Sequence, residues 1–133
     1  EVLELAAERP ELREPLDGAP AYLAAEIVYA VSHEAALHLE DVLTRRTRIS
    51  VETFDRGLRS APAAARLMAR ELGWDEATVR REIRHYQLRV DAERESQEQL
   101  DDLSADATRL DAPDVRMGDL RGAEVIELSR RRR

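Results

Sequence analysis

Residues 21–33 carry apolar side chains on two faces of a single helix. Leu23, Ile27, Ala30 and Val31 fall on one face at i, i+4, i+7 and i+8, while Tyr22, Ala25 and Tyr29 line a second. A helix that is apolar on two sides has to be covered on two sides, which makes it the central member of a helical core. The remaining apolar pattern supplies the cover. Leu39, Val42 and Leu43 form the stripe of a shorter helix over 35–46. Leu67, Met68 and Leu72 belong to a helix that starts at Ser60-Ala61-Pro62 and stops at Gly73. Val79, Ile83, Tyr86 and Val90 repeat at four, three and four residues on a last long helix capped by Asp75, which fades in the polar run 93–99. The expected fold is all-α, a small bundle of about four to five helices.

Punctuation places the joints. Residues 1–14 are polar and helix-prone as far as Arg9, where Pro10 interrupts. Pro15-Leu16-Asp17-Gly18-Ala19-Pro20 reads as a turn, because Asp-Gly tolerates positive φ and the prolines block helix continuation. Residues 47–50 should leave the helix, residues 55–60 add at most one helical turn, and Ser60 is placed to cap the helix that follows with its hydroxyl. Beyond Glu98 there is no aromatic residue. Acidic and small side chains dominate, Pro113 and Gly118 interrupt, and the chain ends on Arg130–Arg133. The expected division is a helical domain over 1–97 and a mostly disordered polar tail over 98–133, with a short ordered piece around 125–128.

Composition removes several chemistries. The chain has 133 residues and no cysteine, which excludes disulfides, thiolate metal sites and thiol nucleophiles. All 21 Lys+Arg positions are arginine, so lysine Schiff bases and P-loop lysines are excluded as well. A formal net charge of -7 argues against a general affinity for nucleic acid or anionic lipid. No stretch approaches the roughly 20 apolar residues of a membrane span. No signal-peptide pattern opens the chain; it enters polar helical sequence directly at Glu1, as a fragment of something longer would.

Three constellations invite chemistry. His33-Glu34-Ala35-Ala36-Leu37-His38 looks like a zinc-binding HExxH with one residue too many. At 3.6 residues per turn, histidines five apart diverge by about 140° on a helix and cannot share a metal, so a polar cap or a buried hydrogen bond is the expectation for His33. Asp41, Arg45, Arg46, Thr47 and Arg48 concentrate guanidinium groups at a helix end. They suit either a phosphate clamp or an ion-pair network with Glu34, Glu40, Asp41 or Glu52. The phosphate reading meets an obstacle, since a helix C-terminus is its negative end. Finally, residues 65–84 resemble a DNA-binding helix-turn-helix, with Ala69 in the first helix, Gly73 at the turn, and Arg80, Arg81 and Arg84 on the second. Glu82 stands where that motif usually has an apolar residue, and the domain is acidic where DNA binders are basic. No catalytic triad, glycine-rich phosphate loop or dinucleotide fingerprint is present, so no catalytic, cofactor-binding or metal-binding residue is assigned.

Residues 22–50 go further than periodicity. The helix Glu26…Tyr29-Ala30-Val31, the His33-Glu34 pair, and Leu39-Glu40-Asp41-Val42-Leu43 followed by Arg45-Arg46-Thr47-Arg48 resemble the C-terminal domain of the FAD-dependent glycerol-3-phosphate dehydrogenase and oxidase family. The stretch 64–89, with Leu72-Gly73-Trp74, fits the same domain, so the likeness covers about residues 20–95. It implies a small helical cap on a longer parent whose preceding domains bind FAD and substrate. That parent would oxidise glycerol 3-phosphate to dihydroxyacetone phosphate and pass electrons through FAD to a quinone. The cap itself would carry no cofactor and no catalytic residue. The implied partners are the preceding FAD and substrate domains of the same chain. A homodimer stays open, no nucleic acid is expected, and any membrane association runs through the parent. The implied location is the cytoplasm, with the parent at the inner face of the membrane. His33, Glu34, Asp41, Arg45, Arg46, Thr47 and Arg48 then become a structural or domain-docking cluster, with the helix-turn-helix over 65–84 as the alternative.

Overall fold

The computed structural model describes residues 1–99 together with Arg109. The ordered piece expected around 125–128 lies outside the described residues, as does nearly all of the tail expected over 98–133. The chain divides into two units, the first being Glu1–Gln87; of the second, which begins at Leu88, residues 88–99 and Arg109 are described.

The first unit opens with α1 (Val2–Glu8), which ends ahead of Pro10 as the proline requires, and a 3-10 turn over Pro10–Arg13 follows. The turn at Asp17-Gly18 closes a small antiparallel hairpin of β1 (Pro15–Leu16) and β2 (Ala19–Leu23). These strands are absent from the sequence reading, which places Tyr22 and Leu23 in the helix. Gly18, at φ +80, lets the two strands reverse, and the central helix α2 begins only at Ala24 and runs to Ser32. The Glu26 carboxylate fixes that start, accepting the Leu23 N–H at 2.7 Å.

Helix α2 is central, as its two apolar faces demand. Ala25, Ile27, Val28 and Ala30 are all buried, and the helix packs on both α1 and α4 (Ala61–Leu72). On one side Ala24, Ala25 and Val28 join Ala6 and Leu12, with Leu5 and Leu67 against them. Burying a side chain of Val or Leu size contributes about 1.5–3 kcal/mol, so this seam fixes the N-terminal elements to the bundle. An Arg9–Glu71 hydrogen-bonded ion pair of 2.7 Å closes its rim.

Between α2 and α4 the chain departs from the expected single helix over 35–46. Helix α2 ends at Ser32, Ala35 adopts φ 57, and regular structure resumes only at Leu39. From Asp41 to Arg46 the winding is π-helical. Leu39, Val42 and Leu43 are nonetheless wholly buried, so the apolar stripe survives the change of winding. A one-turn helix α3 (Ile49–Glu52) follows, where the sequence reading has the chain leaving helical structure. Residues 54–60 form turns and no helical turn.

Asp55 organises these turns, its carboxylate accepting the Gly57 N–H at 3.1 Å and the Arg59 N–H at 2.7 Å. Burial pushes that carboxyl upward, but the Arg59 and Gly57 amides outweigh it and hold it below its ordinary value. A carboxyl depressed in the folded state binds its proton first in the unfolded chain, so its stabilisation is complete above the unfolded value and is lost as pH falls through the folded one. The thermal midpoint is therefore expected to drop with pH below about 4. Asp55→Asn should have a shallower drop than wild type between about pH 4 and pH 2; parallel pH profiles would refute the assignment.

Helix α4 starts at Ala61 with Pro62 in its first turn and ends on Gly73 in the left-handed conformation, both as expected. Ser60 corrects one detail. It occupies the cap position, but its side chain makes no capping hydrogen bond; the hydroxyl is fully buried and unpartnered beneath the hairpin turn. After Trp74, Asp75 caps α5 (Glu76–Glu98) through the Thr78 N–H at 2.8 Å. Val79, Tyr86 and Val90 are buried and Ile83 is half-buried, which is the predicted face. Among the described residues no helix is long and apolar enough to cross a membrane.

Candidate functional site

The polar motif divides into three parts. His33 ends α2, its N–H donating to the Tyr29 carbonyl at 2.9 Å. Its ring is exposed, stacked on Tyr29 at 4.5 Å with 7° between planes, and its Nδ1 shares a hydrogen bond of 2.7 Å with the Ser32 hydroxyl. Capping is correct for His33; burial is not. Glu34 is exposed on the turn that follows.

Asp41 starts the π-helical segment. Its Oδ2 accepts the His38 N–H at 3.1 Å, while Oδ1 accepts from Arg45 at 2.9 Å, the i, i+4 pair expected from the spacing. Arg45 also reaches Glu40 at 3.3 Å. Thr47 closes the other end: buried, it donates its hydroxyl to the Val42 carbonyl at 2.7 Å while its N–H donates to the same oxygen at 2.9 Å. That doubly used carbonyl spans five residues, which is the register of a π turn. Asp41 and Thr47 thus hold the winding from both ends.

The arginines face outward. Arg45 is 43% exposed, Arg48 is 75% exposed and pairs with Glu52 at 3.4 Å, and Arg46 is exposed with no ion-pair partner among the described residues. Of the two readings of this cluster, the ion-pair network matches what Arg45 and Arg48 do. Glu34 takes no part in those pairs.

Glu82 supplies what the motif lacks. It is buried on α5, and its two oxygens serve different groups: Oε1 lies 3.0 Å from His38 Nδ1, and Oε2 accepts the Leu39 N–H at 3.0 Å. One carboxylate therefore ties α5 to the loop after α2 and satisfies a fully buried amide at the start of the motif. The sequence reading notes Glu82 only as a misfit in a helix-turn-helix; its position inside an apolar stripe was the available signal for a buried partner. Arg80, Arg81 and Arg84 are exposed on α5, as ordinary solvent-facing positions of a packed amphipathic helix are. The two histidines of the near-HExxH part company: His33 turns to Ser32 and Tyr29, and His38 to Glu82.

A family model described as the C-terminal domain of alpha-glycerophosphate oxidase matches residues 1–79. The chain is 46% identical over 127 residues to glycerol-3-phosphate dehydrogenase 2 of Mycobacterium bovis, covering 96% of this chain and 21% of that protein. It is 49% identical over 116 residues to a glycerol-3-phosphate dehydrogenase of Mycobacterium leprae, covering 87% of this chain and 20% of that protein. A probable mitochondrial glycerol-3-phosphate dehydrogenase of Dictyostelium discoideum is 33% identical over 86 residues, 65% of this chain and 13% of that protein. No solved structure matches. The chain spans about one fifth of the length of the mycobacterial relatives. Nothing in these matches supports the helix-turn-helix reading. With more than half of its residues covered by that model, the chain belongs to the family of C-terminal domains of alpha-glycerophosphate oxidase.

Proposed function

We propose that this chain is the accessory helical domain of an FAD-dependent glycerol-3-phosphate dehydrogenase, catalytically inactive alone. The observation that carries this is the family match combined with polar groups that serve structure. Asp41, Thr47 and Glu82 hydrogen-bond to backbone and to neighbouring side chains. The described residues do not fit a flavin. Gly18, Gly57 and Gly73 stand singly in three separate turns, with no run of glycine amides to hold a pyrophosphate. FAD and glycerol 3-phosphate therefore belong to the remaining four fifths of a relative-sized protein, which would pass electrons to a quinone from the inner face of the membrane. The role of the Asp41–Arg48 segment is to fix how the helical domain meets that larger part.

The direct test measures flavin content and glycerol-3-phosphate dehydrogenase activity on the full-length gene product and on these 133 residues. Flavin and activity are expected in the full-length protein and in neither measurement on the piece; a full-length protein with neither would refute the assignment. For the docking role, Arg45→Ala with Arg46→Ala is expected to cost the full-length protein about 2 kcal/mol or more, the range for truncating one partner of a desolvated interfacial pair. A surface ion pair left in solvent would cost under about 1 kcal/mol. Unchanged stability and activity in that double variant would remove the docking role.

A further inference from the structure

Two large apolar side chains point into solvent from the segment just past the arginine motif: Val51 is 73% exposed and Phe54 105% exposed. Their setting is hydrogen-bonded on both sides. Ile49, between them and the motif, is fully buried, and its carbonyl accepts both the Thr53 N–H at 3.0 Å and the Thr53 hydroxyl at 2.7 Å. Immediately after Phe54 come the Asp55 turn and Arg56, whose carbonyl accepts the Tyr86 hydroxyl. A phenylalanine held outward by buried partners on either side is presented, not frayed. Exposed Arg46 and Arg48 precede it, and aromatic side chains with arginine are the composition enriched at protein interfaces.

We propose that Val51 and Phe54, with Arg48 beside them in the chain, form the face on which the rest of the full-length polypeptide docks; this rests on the function proposed above. The occupant follows from the area available. A phenylalanine buries about 150–250 Å², so this pair falls well short of the roughly 800 Å² per partner typical of a stable free-standing complex. A second copy of the chain would need more. A covalently joined body does not, because a tether supplies an effective concentration on the order of millimolar. The mycobacterial relatives place about four fifths of their length outside the region shared with this chain. The face also continues the arginine motif along the chain, so one contact would engage both.

The test is limited proteolysis of the full-length gene product, following release of the helical domain. Val51→Ser with Phe54→Ser is expected to speed release at least about tenfold, equivalent to roughly 1.4 kcal/mol of docking energy. Leu3→Ser, at a site 77% exposed on α1, should leave the rate unchanged. Hydrogen exchange on the same samples should show lost protection in peptides outside residues 1–133 in the double variant only. An unchanged release rate overturns the proposal. If that unchanged rate comes with a lost dimer in sedimentation, the occupant is a second copy; if with lost binding to phosphatidylglycerol vesicles, it is a membrane. Neither readout needs activity. An inactive, flavin-free wild type with faster release in the double variant would sink the enzymatic assignment and leave the docking face standing.

Discussion

Glu82→Ala is expected to lower the thermal midpoint of the helical domain by roughly 12–24 °C, one of the two largest effects expected outside the apolar core. The reasoning starts from Leu39, which is fully buried and whose N–H has the Glu82 carboxylate as its acceptor at 3.0 Å. Alanine leaves that donor without an acceptor, a cost of about 1–3 kcal/mol. It also strips His38 Nδ1 of its partner and opens a void where a 2% exposed side chain stood. Together these give about 3 kcal/mol. Glu82→Gln separates the contributions. Its amide oxygen can still accept from Leu39, and its NH₂ stays within reach of His38 Nδ1, so a loss near 1 kcal/mol is expected, that of one weakened hydrogen bond. Circular dichroism melts of wild type and both variants decide it. Equal losses in the two variants would show that the Leu39 hydrogen bond contributes little.

Gly18→Ala should be damaging to a comparable degree, for a different reason. At φ +80 an added Cβ would sit 2.8 Å from the Ser60 hydroxyl and 2.9 Å from the Ser60 nitrogen. The left-handed conformation costs a residue with a Cβ roughly 1–2 kcal/mol, and forcing the hairpin away from the start of α4 adds about 1–3 kcal/mol. Gly73→Ala provides the control. Its φ is +70, yet nothing lies within 4 Å of the added carbon, so it should lose only the conformational part. The difference between the two variants measures the hairpin contact alone. If both melt at the same temperature, the hairpin does not press on α4.

What the sequence revealed and what it withheld follow one physical line. Elements announced by local rules were legible: the central α2 from its two apolar faces, α4 from Pro62 and Gly73, and α5 from Asp75. The Asp41–Arg45 pair was legible for the same reason, since i, i+4 spacing needs no tertiary information. Features that depend on distant partners were not. The hairpin over Pro15–Leu23 lacks alternation, and prolines at 15 and 20 speak against strands. The π winding over Asp41–Arg46 depends on Thr47 doubling back to Val42, while the periodicity of Leu39, Val42 and Leu43 fits an ordinary helix equally well. Ser60 had every local mark of a side-chain cap, but the hairpin turn presses on it and buries the hydroxyl without a partner. Glu82 carried a local signal, a carboxylate in an apolar stripe, whose meaning lay 43 residues away.

That separation sets where this domain can be cut. The family pattern stops at residue 79, three residues short of the carboxylate that serves Leu39. A polypeptide trimmed to the pattern would keep the arginine motif and the central helix yet lose Glu82 and Tyr86, the α5 groups that bond to Leu39 and Arg56. Its buried amide would be orphaned and its motif loop released. The unit that folds is therefore expected to be longer than the unit that is recognised, reaching into α5 past Tyr86.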